Sequence, residues 1–192
     1  MEADKAIDPE ETGFVYNEKI SEKEKHNPKH KLFLEWCFSN GLKWTGVDFP
    51  AYFGDKGELR GVVATRDINP YEIIMGIPNK LLMSSAKAKE DKALSKLFKK
   101  HEEIFTQDDS GDYNVLIVYL IRERLKGPES FFHPFLNLLD DIITGQSWDK
   151  KAMKFIEDPM FRGCIEESQL ELESEWEAMK DFFEENPKLF PG

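Results

Sequence analysis

The chain has 192 residues, 40% of them hydrophobic, enough for one domain with a sizeable core. Its 26 basic residues face 37 acidic ones, a net charge of -11, which disfavours non-specific binding to nucleic acid because a phosphate backbone needs a basic face. The balance fits a soluble protein or one that docks on basic partners, and no apolar run approaches the roughly 20 residues of a membrane span.

Residues 1–29 are polar, interrupted by Pro9 and Pro28, with a charge run over 18–25. They carry too few apolar side chains for a core segment and read as an N-terminal arm, with Phe14, Val15 and Tyr16 as surface anchors. The spacing of Leu32, Phe33, Trp36 and Cys37 predicts a helix over 31–40, stopped by Gly41. Residues 47–53 read as a short strand, and Gly54-Asp55-Lys56-Gly57 as a turn. Gly61-Val62-Val63-Ala64 and residues 72–77 are β-branched runs separated by an Asn69-Pro70 turn. Together they predict a small β unit, not a parallel nucleotide-binding sheet.

From residue 84 the pattern turns helical. Ser84 or Ser85 caps a helix through Ala93, Leu94 and Leu97. The clearest helix runs over 112–126, with Val115, Leu116, Tyr119 and Leu120 on or near one face and Gly127-Pro128 as its stop. Residues 131–136 are an aromatic-rich short helix or turn. Ser147 is placed to cap a helix carrying Met153, Phe155 and Ile156, and a last helix is expected over 166–185. That final stretch is strongly acidic, which suits a solvated face, while Leu170, Leu172, Trp176, Met179, Phe182 and Phe183 are expected on its buried side. The fold class is therefore α+β.

Few residues carry a chemistry of their own. Cys37 lies among apolar residues as a core thiol, and Cys164 is left unassigned; two isolated cysteines fit a reducing compartment, with a single bridge as the alternative. His26, His30 and His101 have no metal-ligand spacing, and His133 reads as a packed histidine. Arg66-Asp67 reads as a local turn pair. The acidic, polar start Met1-Glu2-Ala3-Asp4-Lys5 is neither a secretory signal nor a mitochondrial presequence, so an intracellular, soluble location is expected: cytoplasmic, nuclear or ciliary.

Two stretches resemble a known family. Gly61-Val62-Val63-Ala64-Thr65-Arg66-Asp67, followed by Ile77-Pro78-Asn79-Lys80, is similar to the opening of a SET domain. The subgroup is that of the Rubisco large-subunit lysine methyltransferase and the actin-histidine methyltransferase. Leu120-Ile121-Arg122-Glu123-Arg124, followed by Ser130-Phe131-Phe132-His133-Pro134-Phe135, is similar to the inserted helical region of that subgroup. The resemblance spans roughly residues 31–190. It implies a partial SET-type β fold of short strands with an inserted helical lobe, the C-terminal half of the SET core being absent. The implied organisation is an arm over 1–29 and the N-terminal half of a SET domain over 30–192. Within the latter, 30–46 is the leading helix, 47–83 the β unit and 84–192 the helical insert.

The resemblance also implies S-adenosylmethionine as cofactor and methylation of a protein lysine or histidine. The family's cofactor hairpin usually reads Glu-Gly-x-Gly or Gly-x-Gly; here it reads Glu58-Leu59-Arg60-Gly61. Glu58 and Gly61 match, and Leu59 stands where a glycine is usual, which matters if the backbone there needs positive φ or close approach to a ligand. Glu58 fits either a solvated turn charge or a ligand contact, and Arg60 either an exposed hairpin residue or a partner for a carboxylate. No catalytic residue is assigned. The family's Asn-His pair and late tyrosine lie beyond the helical insert, and no Asn-His dipeptide and no tyrosine after Tyr119 occur here. The expectation is a methyltransferase-related chain that lacks the catalytic half and is inactive alone, covered by a protein partner. The alternative is a non-enzymatic structural or adaptor subunit.

Overall fold

The computed structural model describes residues 15–105, 108–140 and 143–191; Phe14 and the rest of the expected arm before it lie outside these. The chain divides into two units. The first runs up to Leu82 and includes Pro134–Leu138; the second comprises Met83–His133 and the chain from Leu139. Helices and short strands together make the α+β class expected.

In the first unit, helix α1 (Glu18–Lys25) is capped by Asn17, whose side chain accepts the Ile20 N–H. Helix α2 (Pro28–Ser39) starts on Asn27 with Pro28 at its first position, where a missing N–H costs nothing. It ends at Asn40 and Gly41, the latter at φ +92°. Four strands follow: β1 (Lys43–Trp44), β2 (Val47–Phe53), β3 (Leu59–Ala64) and β4 (Met75–Gly76). β2 and β3 form an antiparallel hairpin, and β1 pairs antiparallel with β4. The β2–β3 register shifts between Asp48 and Ala51. Pro50 falls within that irregularity, where a residue with no N–H does not break a ladder bond.

The end of the expected arm is folded. The Asn17 N–H donates to the Tyr52 carbonyl at 2.7 Å and the Gly54 N–H to the Val15 carbonyl at 2.9 Å, while Tyr16 bridges Phe53. Ser21, fully buried, donates its hydroxyl to the Asn17 carbonyl at 2.7 Å and accepts the Tyr52 N–H at 2.8 Å. Lys25 reaches Asp48 at 2.6 Å. Residues 15–25 thus line the edge of β2 away from β3 and satisfy it largely with polar groups. Hydrophobic patterning is blind to such a segment. Behind the hairpin, Ala51, Cys37 and Leu42 are buried, and the Phe49 ring meets His30 and Phe33, each at 5.8 Å between centroids. The strand expected over 72–77 shrinks to Met75–Gly76, because Tyr71 takes φ +65° and the Glu72 carboxylate is drawn back to Arg66.

The second unit is helical: α3 (Ser85–Glu90), α4 (Lys92–Lys100), α5 (Glu102–Phe105) and α6 (Asp108–Leu125). The short helix α7 (His133–Leu136) runs from this unit into the first; α8 (Lys150–Met153) and α9 (Pro159–Glu184) complete the second. The single helix expected from Ser84 is split at Asp91. That residue is extended, and its carboxylate accepts the Ala93 and Leu94 N–H groups at 2.9 and 3.1 Å, opening a second helix. Asp149, not Ser147, caps α8. Helix α9 begins at Asp158-Pro159, well before the expected 166, and runs through Gly163. An Asp followed by Pro is itself a start signal.

Two apolar clusters anchor α9. Near its C-terminal end, Phe182 packs against Phe105 (5.2 Å), His101 (5.3 Å) and Phe190 (5.6 Å), with Phe98 on Phe105 at 4.7 Å. Near its start, Ile165 joins Met153, Ile156 and the half-buried Trp148. Between them the buried side expected of α9 is open: Leu170, Leu172 and Trp176 are exposed, while Met179 and Phe182 are buried. Phe183 lies half-buried, stacked on Trp176.

Candidate functional site

The β2–β3 hairpin carries the three residues singled out by the sequence. Its tip is the tight turn Gly54-Asp55-Lys56-Gly57, closed by a Gly57 N–H to Gly54 carbonyl bond of 3.1 Å. Both glycines have positive φ, +87° and +70°, which an L side chain rarely adopts. Asn17 holds the tip from outside, its amide donating to the Gly54 and Asp55 carbonyls at 3.1 and 3.2 Å. Hydropathy gave no hint of this clamp; the signal was the Asn placed just before the charge run.

Glu58 is exposed and folds back over its own turn, accepting the Lys56 N–H at 3.1 Å. A Cβ on Gly54 would strike that carboxylate. Leu59 pairs with Phe53 in the ladder and leaves its side chain half exposed. It lies outside the positive-φ region, so the conformation here demands no glycine. Arg60 sits opposite Tyr52 and donates from Nη2 to the Leu138 carbonyl at 3.3 Å. Gly61 lies under the Phe53 ring, where a Cβ would meet a ring carbon at 3.3 Å. A side chain at 61 would need the Phe53 ring to give by a few tenths of an ångström.

No family model matches the chain. It is similar to Protein SET DOMAIN GROUP 40 of Arabidopsis thaliana, 24% identical over 157 residues, which cover 80% of this chain and 29% of that protein. The chain is related to a SET-domain-group protein. It spans less than a third of that relative's length.

The strand entering Gly61 is extended and carries the exposed Leu59 side chain, with the Phe53 ring over Gly61. The two charged side chains are engaged within the chain, Glu58 with Lys56 and Arg60 with Leu138.

Several other titratable groups are engaged within the chain. Arg66 pairs with Glu72, not with the Asp67 carboxylate, and the guanidinium holds the Glu72 carboxyl down at about 2. His30 is buried, with Nδ1 3.0 Å from the Glu24 carbonyl, and His133 is half-buried. Burial first, then the nearby Glu123, Asp91 and Glu90 carboxylates, pushes Tyr119 up to about 12. Glu123 is itself buried, where it accepts from the Ser130 hydroxyl at 2.5 Å and pairs with Lys126. Among the described residues no three His, Cys, Asp or Glu side chains form a metal cluster, no helix is long and apolar enough to cross a membrane, and both cysteines are free, Cys37 buried and Cys164 exposed.

Proposed function

We propose that these 192 residues are the leading portion of a SET-type fold of the lysine- and histidine-methylating subgroup, and that they do not transfer a methyl group by themselves. S-adenosylmethionine, when bound, supplies the activated methyl sulfonium, and the main chain at Glu58, Leu59 and Arg60 lies against it. The observation that carries this reading is the β2–β3 hairpin. Residues of the matching stretch form a tight two-stranded unit with Gly61 under Phe53, and its tip is fixed by Asn17. The exposed apolar side chains of Val62, Tyr71 and Ile73 support completion by further polypeptide that covers this β unit.

A second reading, a non-enzymatic structural or adaptor subunit, is favoured by the engagement of Glu58 and Arg60 within the chain. Isothermal titration with S-adenosylmethionine, on the chain alone and in the assembly isolated with it, separates the two. Binding in the assembly and not alone supports the completed methyltransferase fold; no binding in either state supports the adaptor. Sedimentation adds a check on the partner: a well-dispersed monomer that unfolds cooperatively counts against an uncovered face.

A further inference from the structure

We propose that the cleft between Trp148 and helix α9 binds a small organic anion with a flat apolar body, its charged head held by Arg162, Lys150 and Lys154. This does not depend on the reading above, since the hairpin takes no part in it. The cleft is open to solvent and has a volume of about 390 Å³, within the range of small-molecule sites.

Positive charge gathers at the cleft. Lys150, Lys154 and Arg162 line the cleft against one carboxylate, Glu166, in a chain of net charge -11. Among the described residues none of these three cations has a carboxylate within ion-pair distance, although acidic residues outnumber basic ones 37 to 26. Arg162 carries the argument furthest. Its Nη2 donates to the Ile156 carbonyl, while Nε is buried and has no hydrogen-bond partner. Two other buried donors without a hydrogen bond have an acid at hand: Arg122 Nε lies 3.5 Å from Asp91, and His101 Nε2 lies 3.9 Å from Glu185. Arg162 has none. An unmet buried donor is costly, and the guanidinium fork is matched to the oxygens of a carboxylate or phosphate.

The walls are set in advance. Gln169 donates from its amide to the Gly145 and Trp148 carbonyls at 2.9 and 3.0 Å, fastening the Trp148 turn to α9. Gly145 sits so close to Ile165 that a Cβ would come within 3.1 Å of it. Asp149 accepts the Lys151 and Ala152 N–H groups at 2.9 and 2.7 Å, which starts α8 and places Lys150 and Lys154 on the rim. Trp148 and Met153 supply the apolar surface for the ligand's body. Glu166 opposes a second negative group, so a single anionic head is expected.

The test is calorimetric titration of the full chain with 2-naphthyl phosphate and with 2-naphthoate. Neutral 2-naphthylmethanol and inorganic phosphate serve as the two half-ligands. At least one aromatic anion binds, and both half-ligands bind at least about tenfold more weakly; which anion is tighter identifies the head group. R162Q lowers the affinity about tenfold or more. The K150E/K154E variant changes only exposed positions and does the same with an unaltered circular dichroism spectrum, so the test survives if R162Q unfolds. The proposal is overturned if neither anion binds at millimolar concentration, if the alcohol binds as well as the anions, or if K150E/K154E leaves the affinity unchanged.

Discussion

The edge of β2 in the first unit and the C-terminal end of α9 in the second are held by different chemistry. In the first, a single hydroxyl and a single amide organise an edge: Ser21 takes the Tyr52 N–H, and Asn17 both caps α1 and clamps the hairpin tip. In the second, aromatic rings do the equivalent work, with Phe182 touching rings from three other segments. Polar fastening is directional and local, and each bond lost leaves a defined group without its partner. Ring packing is collective, and truncating one ring leaves a cavity shared by its neighbours.

This contrast sets an order of expected effects. Phe182→Ala, at a fully buried ring, should cost about 3–5 kcal/mol, read as a shift of the urea midpoint; a loss below 1 kcal/mol would erase the distinction between the units. Ser21→Ala removes the acceptor for the Tyr52 N–H and should cost about 1–3 kcal/mol, with faster amide exchange at Tyr52 in particular. If exchange rises evenly over the unit instead, the fastening is not local. Asp91→Ala deletes the cap of α4 and should cost about 1 kcal/mol. Burial raises the Asp91 carboxyl, but the N–H groups of Leu94 and Ala93, with Arg122 and Lys126, outweigh it and leave the value lowered. The folded state therefore binds this proton more weakly than the unfolded chain. The carboxylate's contribution is complete above about pH 4 and is lost as the pH falls through the lowered value. A wild-type minus Asp91→Ala stability difference that is flat down to pH 2 would contradict it. The smallest effect is on the thiols. Burial pushes Cys37 up to about 11, and Cys164 is exposed. One thiol, absent in Cys164→Ser, should react quickly with a disulfide reagent at pH 8, and the second only on unfolding.

What was legible in the sequence follows the same division. The hairpin was readable because alternation over β2, two turn glycines and the β-branched run of β3 agree with one another. Helix α6 was readable from Val115, Tyr119 and its Gly127 stop. Helix α1 was not, since what fixes it is Asn17, Ser21 and Lys25, polar side chains whose partners lie some twenty-three to thirty-eight residues away. The break at Asp91 was hidden inside an uninterrupted helical pattern. The periodic residues of α9 were read as buried throughout, because spacing reports which side chains share a face and not whether anything covers it; Leu172 and Trp176 are the cost of that inference. At the candidate site, the sequence singled out Glu58, Leu59 and Arg60, which lie at the hairpin, whereas their engagement with Lys56, Phe53 and Leu138 needed coordinates.

Helix α9 behaves as a span resting on two piers. Its 26 residues extend about 39 Å, pinned by Ile165 near one end and Phe182 near the other. Between Gly163 and Met179 there is no basic residue, and Glu167, Glu171 and Glu175 follow one another at four-residue spacing, as do Glu173 and Glu177. Such like-charge neighbours loosen a helix by a few tenths of a kcal/mol each, about 0.2–0.5. An ordinary helix frays from its tips. This one should open first at mid-span, with the least amide protection around 170–176 and more on both sides, and added salt should tighten the middle by screening the glutamates.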